Sequence, residues 1–277
     1  MAGGSHGFAL VAPASRGLGL AFAQQLLTRT DLPVVATTRK DCAGVRDRIL
    51  TGKNVPSSAE RRLRLFEVDV KDESTISSMA DAIRRDFLDT PLRLALTVPG
   101  ILHVEKSPSQ IDAASALDSF QVNALGPLLL MKHLSQFLPA KSTPEFQSTS
   151  TPEKGGENRL ELPSHAVYAM MAARVGSISD NSSGGWYSYR ASKASVFQLA
   201  KTFDLYLRSK SGKKALAVAL HPGTVRTDFT KDFWKGREML EPLDSAERLL
   251  KFVIGMSPDF TGGRGKCWDW KGDEVYP

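Results

Sequence analysis

Residues 8–19 read "FALVAPASRGLG": an apolar run, a small-residue turn, then Gly17 and Gly19 at the head of a segment with helical period. A strand that turns through small residues into a helix start leaves backbone N–H groups pointing outward, an arrangement suited to an anion such as a pyrophosphate. Pro13 stands where the first glycine of a dinucleotide-binding loop falls, and proline supplies neither an N–H nor a positive φ.

The same strand-then-helix alternation recurs along the chain. "GFALVA" precedes a helix over 17–29, "PVVATT" one over 40–51, "LRLFEVDV" one over 73–88 and "LRLALTVPG" one over 113–137. It resumes with "HAVYAMMAARVG" before a helix over 189–209, then "ALAVAL" before one over 244–254, and a last strand in "GKCWDW". Such repetition predicts βαβ units around a parallel sheet. The expected fold class is α/β, a single doubly wound domain over 1–277 with a seven-stranded parallel sheet.

Two segments break the rhythm. Residues 139–163, "PAKSTPEFQSTSTPEKGGENRLELP", are rich in Pro, Gly, Ser and Thr without periodicity and read as a flexible insertion loop. Residues 222–243 carry Phe229, Phe233, Trp234 and Met239 in a Pro/Gly-bounded connection. These aromatics suit either a lid over an apolar ligand or a loop pinned to the core.

With 277 residues, 42% hydrophobic and 24% charged, the composition is that of an ordinary globular protein with a sizeable core. The net charge of +6 is scattered rather than gathered into a basic block, so no nucleic-acid partner is expected. Cys42 and Cys267 are far apart and give no disulfide framework or metal-ligand spacing, hence no metal and a reducing, cytoplasmic setting. No apolar run approaches membrane-spanning length, so no membrane partner is expected.

Three further features point to a nucleotide and to acid–base chemistry. Arg16 lies in the first turn and Arg39 follows the second strand in "VATTRK". A base there pairs with the 2′-phosphate of NADP, where an acid would grip the 2′-hydroxyl of NAD. Asp69 in "FEVDVKD" is placed either beside an adenine or as the cap of the helix near Glu73. Tyr189 and Lys193 in "YSYRASKAS" are four apart on one helix face, where an ammonium lowers a phenol pKa and makes it a usable proton donor.

In this order and spacing, "ASRGLG", "VDV", "VNALGPLLL", "GGWYSYRASKAS" and "HPGTVRTD" resemble the short-chain dehydrogenases/reductases, most nearly the small carbonyl reductases of C-factor and sniffer type. The resemblance runs from about residue 7 to the C-terminus, apart from 139–163. It implies a Rossmann domain holding NADP(H) through Ser15, Arg16, Gly17, Leu18, Gly19, Arg39, Asp69, Val70 and Gly100. Pro222, Gly223 and Val225 would lie against the nicotinamide, and Thr227 near the carboxamide and phosphates. Tyr189 would be the general acid, Lys193 would bind the nicotinamide ribose, and Asn123 would hold a water in a proton relay. His221 reads as structural. Dimers or tetramers through the fourth and fifth helices are also implied, although monomers occur among the carbonyl reductases.

This sequence departs from that family at three places. Ala12-Pro13 replaces the usual Thr-Gly, and Thr97-Val98-Pro99-Gly100 replaces Asn-Asn-Ala-Gly. Ala172 or Ala173 stands where the carbonyl-polarising serine belongs, with Ser177 or Ser179 as substitutes or simply as turn formers. The expected activity is hydride transfer from NADPH to a small apolar ketone or aldehyde. The alternatives are a cofactor-binding sensor or scaffold, and a non-redox isomerase or cyclase reusing the pocket.

Overall fold

A computed structural model describes residues 6–147, 159–231 and 239–277. The first strand, β1 (Phe8–Ala12), is wholly buried because both of its faces are covered. It leads into α1 (Gly17–Arg29), whose Phe22, Leu26 and Leu27 lie against the sheet. The alternation continues as β2 (Val34–Thr38), α2 (Cys42–Leu50), β3 (Leu63–Glu67), α3 (Glu73–Phe87) and β4 (Leu92–Thr97). Next comes α4 (Ala113–Phe120), which passes through a π-turn at Gln121–Leu125 into α5 (Gly126–Leu134). The second half holds β5 (Ala166–Met171), α6 (Tyr187–Lys210), β6 (Ala215–His221), α7 (Pro242–Ile254), β7 (Cys267–Asp269) and β8 (Glu274–Val275).

The strands form one sheet in the order β3-β2-β1-β4-β5-β6-β7-β8. Seven run parallel, as expected. An eighth, β8, returns antiparallel on β7, pairing Cys267 with Val275 and Trp268 with Glu274. The seven-stranded reading therefore misses an edge strand of two residues, too short to show a period.

Alternate residues of each strand serve two cores. On one face Ala169, Met171, Val218 and Leu220 pack with Phe22 and Leu26 of α1 and Leu249 and Val253 of α7. On the other, Tyr168, Met170, Ala172, Ala217 and Ala219 pack with Ile76 of α3, Leu130 of α5 and Val196 and Phe203 of α6. Local signals set the helix starts. Asp72 accepts from Ser74 N at 3.0 Å, and Asp112 accepts from Ser115 N at 2.8 Å, each satisfying an orphan donor of the first turn.

Residues 148–158, the middle of the insertion expected to be flexible, lie outside the described residues. Its described ends are tied down. The buried Arg93 side chain donates to the carbonyls of His6, Gln147, Leu162 and Pro163, and its guanidinium sits 4.9 Å from the Phe146 ring centre. Leu160 N donates to Arg29 O at 3.0 Å. Among the described residues no helix is long and apolar enough to cross a membrane.

Candidate active site

A cavity of about 860 Å³ opens at the carboxyl ends of the strands. β4 lies beside β1 there while β2 lies on β1's other side, so strand order reverses at this point. In open α/β sheets that crevice is where ligands bind. Every residue expected to hold a nucleotide, from Ser15 to Thr227, lines this one cavity, as do Tyr189 and Lys193.

At the β1 end, Arg16 is the extended residue before α1. No side chain caps that helix and no acid occupies its first turn, so its first N–H groups and positive dipole end remain available to an anion. Gly19 is required by packing, since a Cβ there would stand 1.9 Å from Pro13 O. Pro13, joined to Ala12 by a cis peptide bond, thus brings its carbonyl against the glycine. A Cβ on Gly17, which has φ +54°, would meet Thr227 Cγ2 at 3.2 Å, so the β6–α7 connection closes over the glycine loop. The Arg16 and Arg39 guanidiniums are exposed on the cavity wall and make no ion pair among the described residues. Asp69 also lines the wall, where its carboxylate accepts from Lys71 N at 3.0 Å. The cap of α3 is Asp72, so Asp69 is not the cap of that helix.

At the β5 end, Tyr189 and Lys193 are 6% and 3% exposed. Lys193 Nζ donates to Met171 O at 2.9 Å and to Pro99 O at 3.3 Å. Burial lowers the Lys193 pKa to about 8 and pushes the Tyr189 phenol up. The expected lowering of the phenol by its lysine is therefore not realised in the protein alone: carbonyls take the ammonium's hydrogen bonds, and desolvation penalises the phenolate.

Asn123 does not line the cavity. The π-turn carries it into the interior, where Oδ1 accepts from Ile101 N at 2.8 Å and Nδ2 donates to Ile101 O at 2.9 Å and Ser192 Oγ at 3.0 Å. It thus ties the loop after β4 to α6. Ala172 and Ala173 both face the cavity and bring no donor. Ser177 does not reach it: its hydroxyl accepts from Asp180 N at 3.0 Å, so it forms its own turn. Ser179 Oγ donates to Pro277 O at 2.5 Å and is likewise a local tie. The sequence expectation for Ser177 in the site is corrected accordingly. Its position follows the short helical turn at Arg174–Gly176, which bends the chain away.

Of the proposed lid, Phe229 lines the cavity with its ring centre 6.1 Å from that of Tyr189, and Trp186 lies 6.2 Å away on Tyr189's other neighbour contact. Met239 is not in the wall, and Phe233 and Trp234 lie outside the described residues. The ends of the segment are joined by a bridge between Val225 and Leu240. A Cβ on Gly223, φ +79°, would come within 2.7 Å of the Trp270 ring, so that turn accepts only glycine.

Two residues of the site carry no sequence signal. Glu105, 2% exposed, accepts from Ser188 N at 2.7 Å through Oε2, while its own carbonyl accepts from Trp186 N at 2.6 Å. It caps α6 from a distant loop, because Trp186 offers no capping side chain. Arg174 lines the cavity and bridges Asp180 at 2.7 Å and Asp269 at 2.8 Å.

The fold and cavity define an open α/β domain with a cleft at the point where strand order reverses, in whose wall a tyrosine and a lysine lie one helical turn apart. No family model matches the chain. It is 29% identical over 195 residues to a 1-hydroxy-2-glutathionyl-2-methyl-3-butene dehydrogenase of Rhodococcus sp. (strain AD45), covering 70% of this chain and 73% of that one. In structure it is similar to the carbonyl reductase Sniffer of D. melanogaster, with a TM-score of 0.78, 20% identity and coverage of 99% and 100%. It is also similar to an NADPH-bound carbonyl reductase from chicken fatty liver, with a TM-score of 0.74, 22% identity and coverage of 99% and 100%. The curated relatives of the chain are thus short-chain dehydrogenases and a C-signal protein of Myxococcus xanthus, 27% identical over 186 residues, and its fold is that of Sniffer-type carbonyl reductases.

Proposed function

We propose that the protein is an NADPH-dependent reductase of a small apolar ketone or aldehyde, with Tyr189 as the proton donor. The observation that carries this reading is one cavity with an uncapped helix start and two arginines without an ion pair among the described residues at one end, and the buried Tyr189–Lys193 pair at the other. NADP(H) fits this cradle. The α1 N–H groups and Arg16 would take the pyrophosphate, Arg39 the 2′-phosphate, and Lys193 the nicotinamide ribose. Bound there, the cofactor supplies the hydride.

The chain's own residues supply the rest. Tyr189 stays protonated until a carbonyl oxygen gains charge, because burial opposes the bare phenolate. The oxygen of the reduced carbonyl then takes the Tyr189 proton. Asn123 fixes the loop after β4 against α6, which keeps Lys193 at Pro99 O. Phe229, Trp186 and the closed base of the 222–243 segment form the apolar side, and we assign that segment as the substrate lid. Exposed Leu117, Phe120, Leu125 and Leu128 on α4 and α5 suit the helix-mediated dimer implied by the family resemblance, and the unpaired thiols Cys42 and Cys267 suit a cytoplasmic setting.

The test is titration with NADPH and NADH followed by cofactor oxidation over a panel of carbonyls. Tyr189→Phe is expected to lower turnover by about 10²–10⁴-fold and to leave NADPH affinity unchanged. Parental turnover in that variant sinks the assignment. The alanines at 172 and 173 favour, as a second reading, a protein that binds NADPH as a sensor. Tight NADPH binding with no carbonyl reduced across the panel is its signature.

A further inference from the structure

A carbonyl reductase needs more than a proton donor: a second donor aimed at the oxygen holds the carbonyl in place and takes up charge as hydride arrives. In this chain the alanines at 172 and 173 cannot do so. The adjacent strand can. Register pairs Met171 with Leu220, which sets Ala172 beside His221 at the ends of β5 and β6. Both belong to the strand face that packs against α6, the helix of Tyr189 and Lys193. On its other side His221 pairs with Asp269 of β7.

His221 lines the cavity, its side chain forms no hydrogen bond among the described residues, and Nδ1 is shut off from solvent without a partner. Buried polar atoms are nearly always paired, so an orphan at a cavity wall calls for an explanation. The neighbouring charges do not supply one, because Arg174 is committed to Asp180 and Asp269. A structural histidine would be expected to spend its ring nitrogens on the fold, as Asn123 spends its amide. With Nδ1 shut off from solvent, Nε2 is the ring nitrogen that can offer its N–H to a ligand in the cavity, and the Nε2-protonated tautomer of the neutral ring is the one that does so. Burial, reinforced by the Arg174 charge, lowers the imidazole pKa to about 4, so the ring is a neutral donor throughout the neutral range.

We propose that His221 is a catalytic residue that donates a hydrogen bond to the substrate carbonyl oxygen, in place of the hydroxyl missing at Ala172 and Ala173. Hydride adds to the carbonyl carbon, the C=O π pair moves to oxygen, and the proton that oxygen receives comes from Tyr189. His221 keeps its own proton throughout. This assignment rests on the reductase reading above.

The experiment compares His221→Phe, His221→Gln and His221→Phe/Ala172→Ser with the parent and with Tyr189→Phe. Readouts are kcat and KM for the best carbonyl of the panel, NADPH affinity by fluorescence titration, and melting temperature. His221→Phe is expected to lose about a hundredfold in kcat with NADPH affinity and melting temperature held at neutral pH. His221→Gln keeps a donor and is expected to stay within about tenfold of the parent, and the added serine is expected to recover most of what Phe removes. Parental kcat in His221→Phe, with Tyr189→Phe inactive, overturns the role of His221 while leaving the reductase reading intact. A kcat loss matched by a loss of NADPH affinity overturns it too, since the ring then serves the cofactor. Parental turnover in Tyr189→Phe overturns both assignments.

Discussion

The two ends of the cavity are built on opposite terms. At the end proposed for the nucleotide the charged groups Arg16 and Arg39 are exposed and without an ion pair among the described residues, and the backbone supplies the remaining donors. At the chemical end Tyr189 and Lys193 are nearly sealed, and burial shifts each toward its neutral form, as it does the His221 ring. The contrast explains why a proline in the first turn and an alanine on the fifth strand are unequal losses. A site made of backbone N–H groups and a helix dipole loses one contributor with Pro13, whereas one made of side chains must replace a lost hydroxyl with another side-chain donor, the part assigned above to His221.

The contrast breaks first on pH. The buried end holds His221, and His165 lies just before β5, both with pKa values lowered to about 4, chiefly by burial. Between about pH 6.5 and 4 the unfolded chain binds these protons and the folded one does not, so stability falls as pH falls through that window. The expected loss is on the order of 3 kcal/mol for each histidine. Melting temperatures across the window should drop steeply and recover about half the slope in His221→Gln; a flat profile contradicts the neutral, buried end.

Next in size is Gly19→Ala. The nucleotide end tolerates lost side chains but not an added Cβ, because Pro13 O would be 1.9 Å away. It should cost about 1–3 kcal/mol in denaturant unfolding and weaken NADPH binding together with it. Unchanged affinity would show that the glycine loop does not hold the cofactor.

Arg39→Ala should act on charge alone. NADPH affinity is expected to fall about ten- to a hundredfold, with NADH affinity and stability unaltered, as read by parallel titrations. Equal effects on both cofactors would remove the 2′-phosphate from the account.

The smallest effect belongs to Glu105→Ala, which removes the remote cap of α6. About 1 kcal/mol of stability is expected to go, with kcat reduced more than NADPH affinity because the first turn of α6 carries Tyr189. Full activity with lowered stability would confine Glu105 to folding.

Much of this was legible in the sequence, for identifiable reasons. Most parallel strands are continuous apolar runs, a glycine opens α1 and Asp72 caps α3, so both helices fall within a residue of their expected ends. The lining of the cavity was readable because it is local: glycines, Arg16 and Arg39 sit directly after strand ends. What stayed hidden acts across the chain or between periods. Glu105 reaches α6 through space, and the π-turn at Gln121–Leu125 keeps an apolar look while shifting Asn123 inward. Ser177 was misplaced because a short helical turn after β5 redirects it. Two-residue β8 offers no pattern at all.

The Arg93 guanidinium gathers the carbonyls of Gln147, Leu162 and Pro163 at one point, so the described ends of the insertion are held together. Closing a flexible segment costs only about 0.6 kcal/mol for each doubling of its length. Guest residues added between those two held ends are therefore expected to cost the domain little stability.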